Sequence, residues 1–279
     1  MKQLLYLIIY ITALASCTKE ISFDYHETAP QVVIEGRVTN EGMSVVITRS
    51  RNVTDSAKGR CIEGALVLIT SEGMMEQLWY DEATQCYRSP RAGIAGQTYQ
   101  LSVDFEDGHY ESTSQMFPPA PIQSVEFEWM SVMKERIMTF EMWAEDPQPD
   151  ERNYYLYRMD RRSSHPHTEG LSKTEAYRWS VFDDRGCPPG LIFRDIICMS
   201  EKAVDEDKEE DWKDILYEGD VITFSLTAID RSAYDFFTSL RAGQGNGANP
   251  RSNITGGCQG YFAAMNITVV DTIVYHRMP

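Results

Sequence analysis

The chain has 279 residues, with 26 Lys and Arg against 42 Asp and Glu, a formal net charge of -16. A surface this acidic repels phosphate backbones and anionic headgroups, which argues against nucleic acid as a partner and leaves membrane contact to an anchor. The length suits one large or two medium domains.

After Met1-Lys2-Gln3, residues Leu4 to Ala15 are apolar apart from Thr12. A helix of about a dozen residues rises roughly 18 Å, short of a bilayer core of about 30 Å, so the stretch reads as the h-region of a signal peptide over residues 1–16. Leu14-Ala15-Ser16-Cys17 follows it and resembles the lipobox of bacterial lipoproteins. That resemblance implies diacylglycerol on the Cys17 thiol, cleavage just before it and acylation of the new amino group by a fatty acid such as palmitate. Each buried methylene contributes about 0.8 kcal/mol, so two or three acyl chains hold a folded body on a membrane without a spanning helix.

Residues 17–30 are then expected to form a lipidated tether ending at Pro30. A first β-sandwich domain is expected over 31–121. It opens with Val32 to Val38 and Met43 to Thr48 around an Asn40-Glu41-Gly42 turn, and continues with Ala65–Thr70, Glu76–Tyr80, Cys86–Ser89, Thr98–Phe105 and Tyr110–Met116. Phe117-Pro118-Pro119-Ala120-Pro121 closes it, because proline cannot donate to a ladder.

A second β-rich domain, 122–279, restarts the alternation at Ile122 to Trp129, Arg136 to Trp143 and Asn153 to Asp160. Segment 161–220 has no clear period and reads as long loops. Val221–Ile229 is a strand, Ser232 to Leu240 has helical spacing and ends near Gly243, and Gly260–Val270 and Asp271–His276 read as closing strands. The predicted fold class is therefore mainly β, with two sandwich-like domains and one short helix.

Beyond Cys17 the cysteines are Cys61, Cys86, Cys187, Cys198 and Cys258. In an oxidising compartment, proximity within a domain suggests Cys61 with Cys86 and Cys187 with Cys198, which leaves Cys258 over; spacing does not fix connectivity. No pair has the close spacing of a zinc site, so no metal and no cofactor are expected.

The segment Asn249-Pro250-Arg251-Ser252-Asn253-Ile254-Thr255-Gly256-Gly257-Cys258-Gln259-Gly260-Tyr261-Phe262 is the most distinctive in the chain. Together with the lipobox, the Val-Val-Ile-Glu-Gly strand, the Pro-rich join and a Tyr-containing helix, it resembles a Bacteroidota lipoprotein family, domain of unknown function 4249. The resemblance implies an outer-membrane lipoprotein, often encoded beside TonB-dependent receptors, with no assigned activity. Gly64-Ala65-Leu66-Val67 also gives the first domain a likeness to transthyretin-like, carboxypeptidase-regulatory and immunoglobulin-like sandwiches. Physically, the glycines and Ser-Asn of the signature read as a structural turn into a last strand; a phosphate loop would need a GxGxxG or Lys-Ser/Thr context that is absent.

No Gly-x-Ser-x-Gly elbow occurs. His165-Pro166-His167 lacks a third ligand at motif spacing, and Asp183-Asp184 and the acidic run Asp205 to Asp211 lack the order of a calcium loop. Trp179 and Trp212 fall in the irregular segment and are the residues expected to stack on a ligand, if one binds. The expected function is a noncatalytic cell-envelope module acting beside an outer-membrane, TonB-dependent-type receptor or transporter. A surface glycan- or peptide-binding lipoprotein is the first alternative and a hydrolase without a legible motif the second. Thr18-Lys19-Glu20 partly matches the acidic start of surface-exported lipoproteins, which favours the outer face of the outer membrane over the periplasmic one.

Overall fold

The computed structural model describes residues 29–50, 61–132, 135–165, 173–185, 187, 190–198, 216–244, 247–270 and 272–276, without the side chains of 132, 135, 136, 197 and 198. Among them are fifteen strands and one helix. In the first half these are β1 (Val32–Thr39), β2 (Gly42–Arg49), β3 (Leu66–Ser71), β4 (Met74–Asp81), β5 (Cys86–Ser89), β6 (Thr98–Phe105) and β7 (Gly108–Gln115). The second half holds β8 (Ile122–Val132), β9 (Glu135–Ala144), β10 (Tyr154–Arg162), β11 (Glu175–Asp183), β12 (Ile192–Cys198), β13 (Val221–Ile229), helix α1 (Arg231–Gly243), β14 (Gln259–Val269) and β15 (Ile273–Val274). The mainly β expectation is met, with two sheets and one helix.

The strands form because apolar side chains recur every second residue. In β1, Val32, Ile34 and Val38 are buried while Glu35 and Arg37 face solvent; in β2, Met43, Val45 and Ile47 supply the inner row. The large sheet runs β11-β10-β13-β14-β1-β2-β5-β4-β3-β6-β7, with β15 added beside β13. All its strand pairs are antiparallel except β1 with β14, where Ile34 lies opposite Gly260 and Val38 opposite Ala264. The second sheet has three strands, β12-β9-β8.

Three apolar cores result. The first fills the curl of β1 to β7; the second lies between the three-stranded sheet and β10, β11 and β13; the third sits under α1. Aromatic packing dominates the second, with Phe140 4.9 Å from Phe224 and Phe182 stacked on Phe193 at 3.9 Å between ring centres. Helix α1 is started by Asp230, whose side chain accepts from Ala233 N–H, and it lays Phe236 and Phe237 on Tyr261 of β14.

Two expectations change. Segment 161–220 is not all loop, since β11 and β12 lie in it. In β11, Tyr177 and Phe182 enter the second core while Trp179 and Val181 pack under α1. Burial on both faces removes the two-residue alternation by which a strand is recognised. The division at residue 121 is also not the division of the cores, because Ile254, Cys258, Phe262 and Ala264 belong to the first core. The end of the chain thus completes the domain that its beginning starts.

The signature segment performs that closure. Asn253 holds both backbone groups of Phe262: its Nδ2 donates to the carbonyl at 2.8 Å and its Oδ1 accepts from the N–H at 2.9 Å. Ser112 on β7 donates to the Asn253 carbonyl at 2.7 Å, and Thr255 N–H donates to Glu111 O at 2.8 Å. Ser114 links the same strand to β14 by accepting from Ala264 N–H at 2.8 Å while donating to Asp230. Gly256 and Gly260 have φ of 96° and 112°, and a Cβ on them would overlap the carbonyl oxygens of His109 and Ile34 respectively.

Asn253→Ala strands two part-buried backbone groups and should lower stability by about 2 kcal/mol or more. Gly260→Ala should cost more, because strained φ and overlap with β1 act together. Denaturant melts of both variants check this; a Gly260→Ala protein as stable as the parent would contradict the closure.

Candidate functional site

Of the expected site residues, Cys17 and Trp212 lie outside the described residues, as do His167 and the run Asp205 to Asp211. Trp179 is described, and it is half-buried with its ring 6.0 Å from that of Phe237. It lines the contact between β11 and α1 instead of standing in a loop. His165 is buried with its ring over Tyr217 at 4.3 Å. Asp183 bonds Arg152 at 2.6 Å and Arg185 at 3.1 Å. Burial raises its carboxyl, but the bonds from the two guanidinium groups outweigh that and hold it below the usual carboxylate range.

Among the described residues the expected Cys61–Cys86 disulfide is not formed. Cys61, Cys86, Cys187 and Cys258 are free thiols, and the Cys198 side chain lies outside the description. Cys61 sits in the first core with its Sγ accepting from Ile47 N–H at 3.3 Å, whereas Cys86 Sγ is 3.2 Å from the Thr84 hydroxyl. Each sulfur is engaged in its own local contact.

A cleft of about 550 Å³ opens between the β9–β10 connection and the loop before β12. Gln123, Glu145, Asp146, Pro149, Glu151, Asp184, Cys187, Gly190 and Leu191 line it. Its carboxylates are partly occupied in holding the chain. Asp146 Oδ1 accepts from Gln148 N–H at 3.0 Å and from the Tyr155 hydroxyl at 3.3 Å, and Asp184 accepts from Asn153 N–H at 2.8 Å. Burial, with Asp184, Asp183 and Asp146 adding to it, pushes the Cys187 thiol up, so it stays protonated and is a poor nucleophile near neutrality. The cleft is built to attract positive charge. Among the described residues no group of three His, Cys, Asp or Glu side chains is placed to hold a metal.

Two aromatic platforms were not singled out by sequence. Trp79 on β4 is 68% exposed, on the outward face opposite the buried Leu78. Leu66, 41% exposed, opens the neighbouring strand β3 one place before Val67, the partner of Leu78, and Met75, 66% exposed, stands two places from Trp79 along the same row of β4. These residues put large apolar side chains on the outside of the first sheet, with Gln77 between Met75 and Trp79 and with Arg88 and Asp104 across from Trp79 and Leu66. Trp143 on β9, 41% exposed, donates its indole N–H to Glu141 at 2.8 Å, and Arg194 on β12 holds the same carboxylate at 2.5 Å. Those two bonds keep the Glu141 carboxyl below its usual range. Trp143 stands in the outward row of β9, whose inner row of Met138, Phe140, Met142 and Ala144 is apolar, and the alternation would have found it had phase been weighed above loop position; Trp79 stands beside a mixed row of Met74, Glu76, Leu78 and Tyr80.

Alkylation of the native protein should follow this burial. Burial pushes Cys258 up to about 11, leaving roughly 0.1% thiolate at pH 8, while Cys187 borders an open cleft. Iodoacetamide at pH 8 should therefore label Cys187 well before Cys258, which should react only on unfolding. Peptide mapping reads the order, and prompt labelling of Cys258 in the folded chain would contradict its place in the first core.

No curated protein matches the sequence. Among solved structures, the selenomethionine-substituted chicken interferon gamma receptor alpha chain aligns with 72% of this chain and 90% of its own, at 7% identity and a TM-score of 0.17. A likeness of that score carries no argument. The family model described as Domain of unknown function (DUF4249) matches residues 18–270. That span holds the first strand, the Pro-rich join, α1 and the closing Asn253 segment, and the chain belongs to the DUF4249 family.

Proposed function

We propose that this protein is a noncatalytic interaction module of the bacterial cell envelope, held by lipid on Cys17 and working beside an outer-membrane receptor or transporter of the TonB-dependent type. The observation that carries the reading is the exposure of Trp79, Met75 and Leu66 on the outside of the first sheet. An exposed cluster of large apolar side chains costs solubility and gains nothing for the fold, so its presence supports a docking role. Support for the anchor is the Leu14 to Cys17 lipobox behind a short apolar stretch. The outer membrane is the proposed location, its outer face favoured by Glu20 close to Cys17.

A second reading, a surface glycan- or peptide-binding lipoprotein, is favoured by Trp143, which is 41% exposed and donates its indole N–H to Glu141.

Native purification from outer membranes separates the two. The first reading expects stoichiometric recovery of a membrane receptor, lost at least tenfold in Trp79→Ala and retained in Trp143→Ala; since both side chains are exposed, neither change should unfold the protein. Recovery without a membrane partner would overturn it, and binding to glycan or peptide panels abolished by Trp143→Ala would favour the second. Cys17→Ala should also move the protein out of the membrane fraction, and retention there would refute the lipid anchor.

A further inference from the structure

The edge of the three-stranded sheet carries an inference that rests on the interaction-module reading but uses a different surface. Strand β8 has eleven residues, pairs only with β9, and has no strand beyond it among the described residues. It contains no proline and no lysine, the devices by which long edges are usually blunted, and its single register shift lies at its start, between Ile122 and Ser124. The other edges differ: at the edge strand β11 the pairing with β10 shifts register between Met159 and Asp160. The outer side of β7 is met by Thr255 through Glu111, and β12 is seven residues long with a register shift between Ile196 and Cys198.

The side chains of β8 sort cleanly by face. Val125, Phe127 and Trp129 pack against the second core, whereas Glu126 and Glu128 point outward and are exposed. Directly across the sheet, Glu126 lies opposite Glu141 of β9. Arg194 is the cation facing this row, bonded to Glu141 at 2.5 Å and 3.7 Å from Glu128. Among the described side chains, three carboxylates against one guanidinium leave the outward face at the edge negative.

That pattern discriminates between occupants. If a second copy paired antiparallel through β8 about Phe127, Glu126 of each copy would lie opposite Glu128 of the other. Pairing centred on Glu126 or on Glu128 would oppose that residue to itself. Like charges directly opposite one another destabilise a strand pair. A foreign strand with Lys or Arg at alternate positions meets the reverse situation: its cations face Glu126 and Glu128, and its intervening apolar residues extend the row of Val125, Phe127 and Trp129.

We propose that β8 is a strand-addition site, which takes an extended segment of a partner protein with basic residues at every second position as a fourth strand of this sheet. Main-chain hydrogen bonds along the edge supply the affinity, and the two glutamates select the sign of the partner's charge. Because the selectivity is electrostatic and the glutamates are solvent-exposed, binding weakens as salt rises.

The test uses the full chain in detergent and a labelled eleven-residue peptide alternating lysine and valine, with a glutamate–valine peptide as control. Anisotropy titration should show the lysine peptide binding at least tenfold tighter than the control. Hydrogen exchange should slow across 122–132 on binding, and not across β11 or β12. Glu126→Gln with Glu128→Gln should weaken the lysine peptide about tenfold, and Glu126→Lys with Glu128→Lys should transfer preference to the glutamate peptide. Unchanged thermal melts establish that both double variants are folded. Binding of the lysine peptide that is indifferent to these changes, protection elsewhere in the chain, or dimerisation of the chain through 122–132 would each overturn the proposal. Retained strand addition in a Trp79→Ala protein that has lost its membrane partner would separate this site from the face on the first sheet.

Discussion

The fold depends on one strand finding its place between two neighbours that the sequence keeps far apart. β14 is antiparallel to β13, which precedes it closely, and parallel to β1, more than two hundred residues earlier. A parallel neighbour cannot be reached by a tight hairpin, so the approach to β14 has to be fixed in another way. Asn253 fixes it. By bonding the N–H and carbonyl of Phe262 with one amide, it folds the approach loop back on the strand it leads into, while its own carbonyl is taken by Ser112 of β7. Asp230 ties the start of α1 to the same β7 through Ser114 and to Ser232, which in turn accepts from Asn253. Loop, helix start, β7 and β14 are therefore one hydrogen-bonded unit, in which loss of one member leaves part-buried groups of the others without partners.

This arrangement explains why the first core draws on residues from both sides of the proline-rich join. The join turns the chain from the first core to the second, but Phe262 and Ala264 of β14 enter the first core while Ala263 and Met265 on its other face enter the third. A single strand is shared between two packing layers. The same economy appears at Arg161, which is wholly buried on β10. Its guanidinium lies 2.7 Å from Glu175 of the neighbouring strand and 4.2 Å from the ring centre of Tyr177. A buried charge of this kind is costly to bring out of water and more costly to leave without its carboxylate, so it fixes the β10–β11 pairing more than it adds to stability.

What was legible in the sequence follows from which faces are covered. Strands with one face on a core and one in water, such as Val32–Thr39 and Thr98–Phe105, alternate visibly and fall where the pattern places them. The helix announces itself through Asp230 and the spacing of Ala233, Phe236 and Phe237. β11 was hidden because α1 covers the face that would otherwise be polar. Among the tryptophans, position in an irregular segment points to Trp179, which supports the helix, and away from Trp79 and Trp143, which are exposed on strands. The disulfide expectation weighed separation along the chain, whereas bridge formation depends on where two sulfurs point; Cys61 points into the first core and Cys86 is held beside Thr84.

Charge and exposed apolar surface have to be considered together. A chain carrying -16 that also exposes Trp79, Met75 and Leu66 would be at risk of self-association if those side chains acted alone. Two copies approaching face to face must bring their negative fields together, and at moderate ionic strength that repulsion extends about 8–10 Å, beyond the range at which apolar contact begins to act. The same arithmetic applies on the second sheet, where Glu126 and Glu128 line an edge that is otherwise suited to pairing. In both places the acidic surface raises the cost of like meeting like and leaves a partner of lower or opposite charge free to dock. The strong acidity is then better understood as what permits open surfaces on a β-rich body than as a feature of solubility alone.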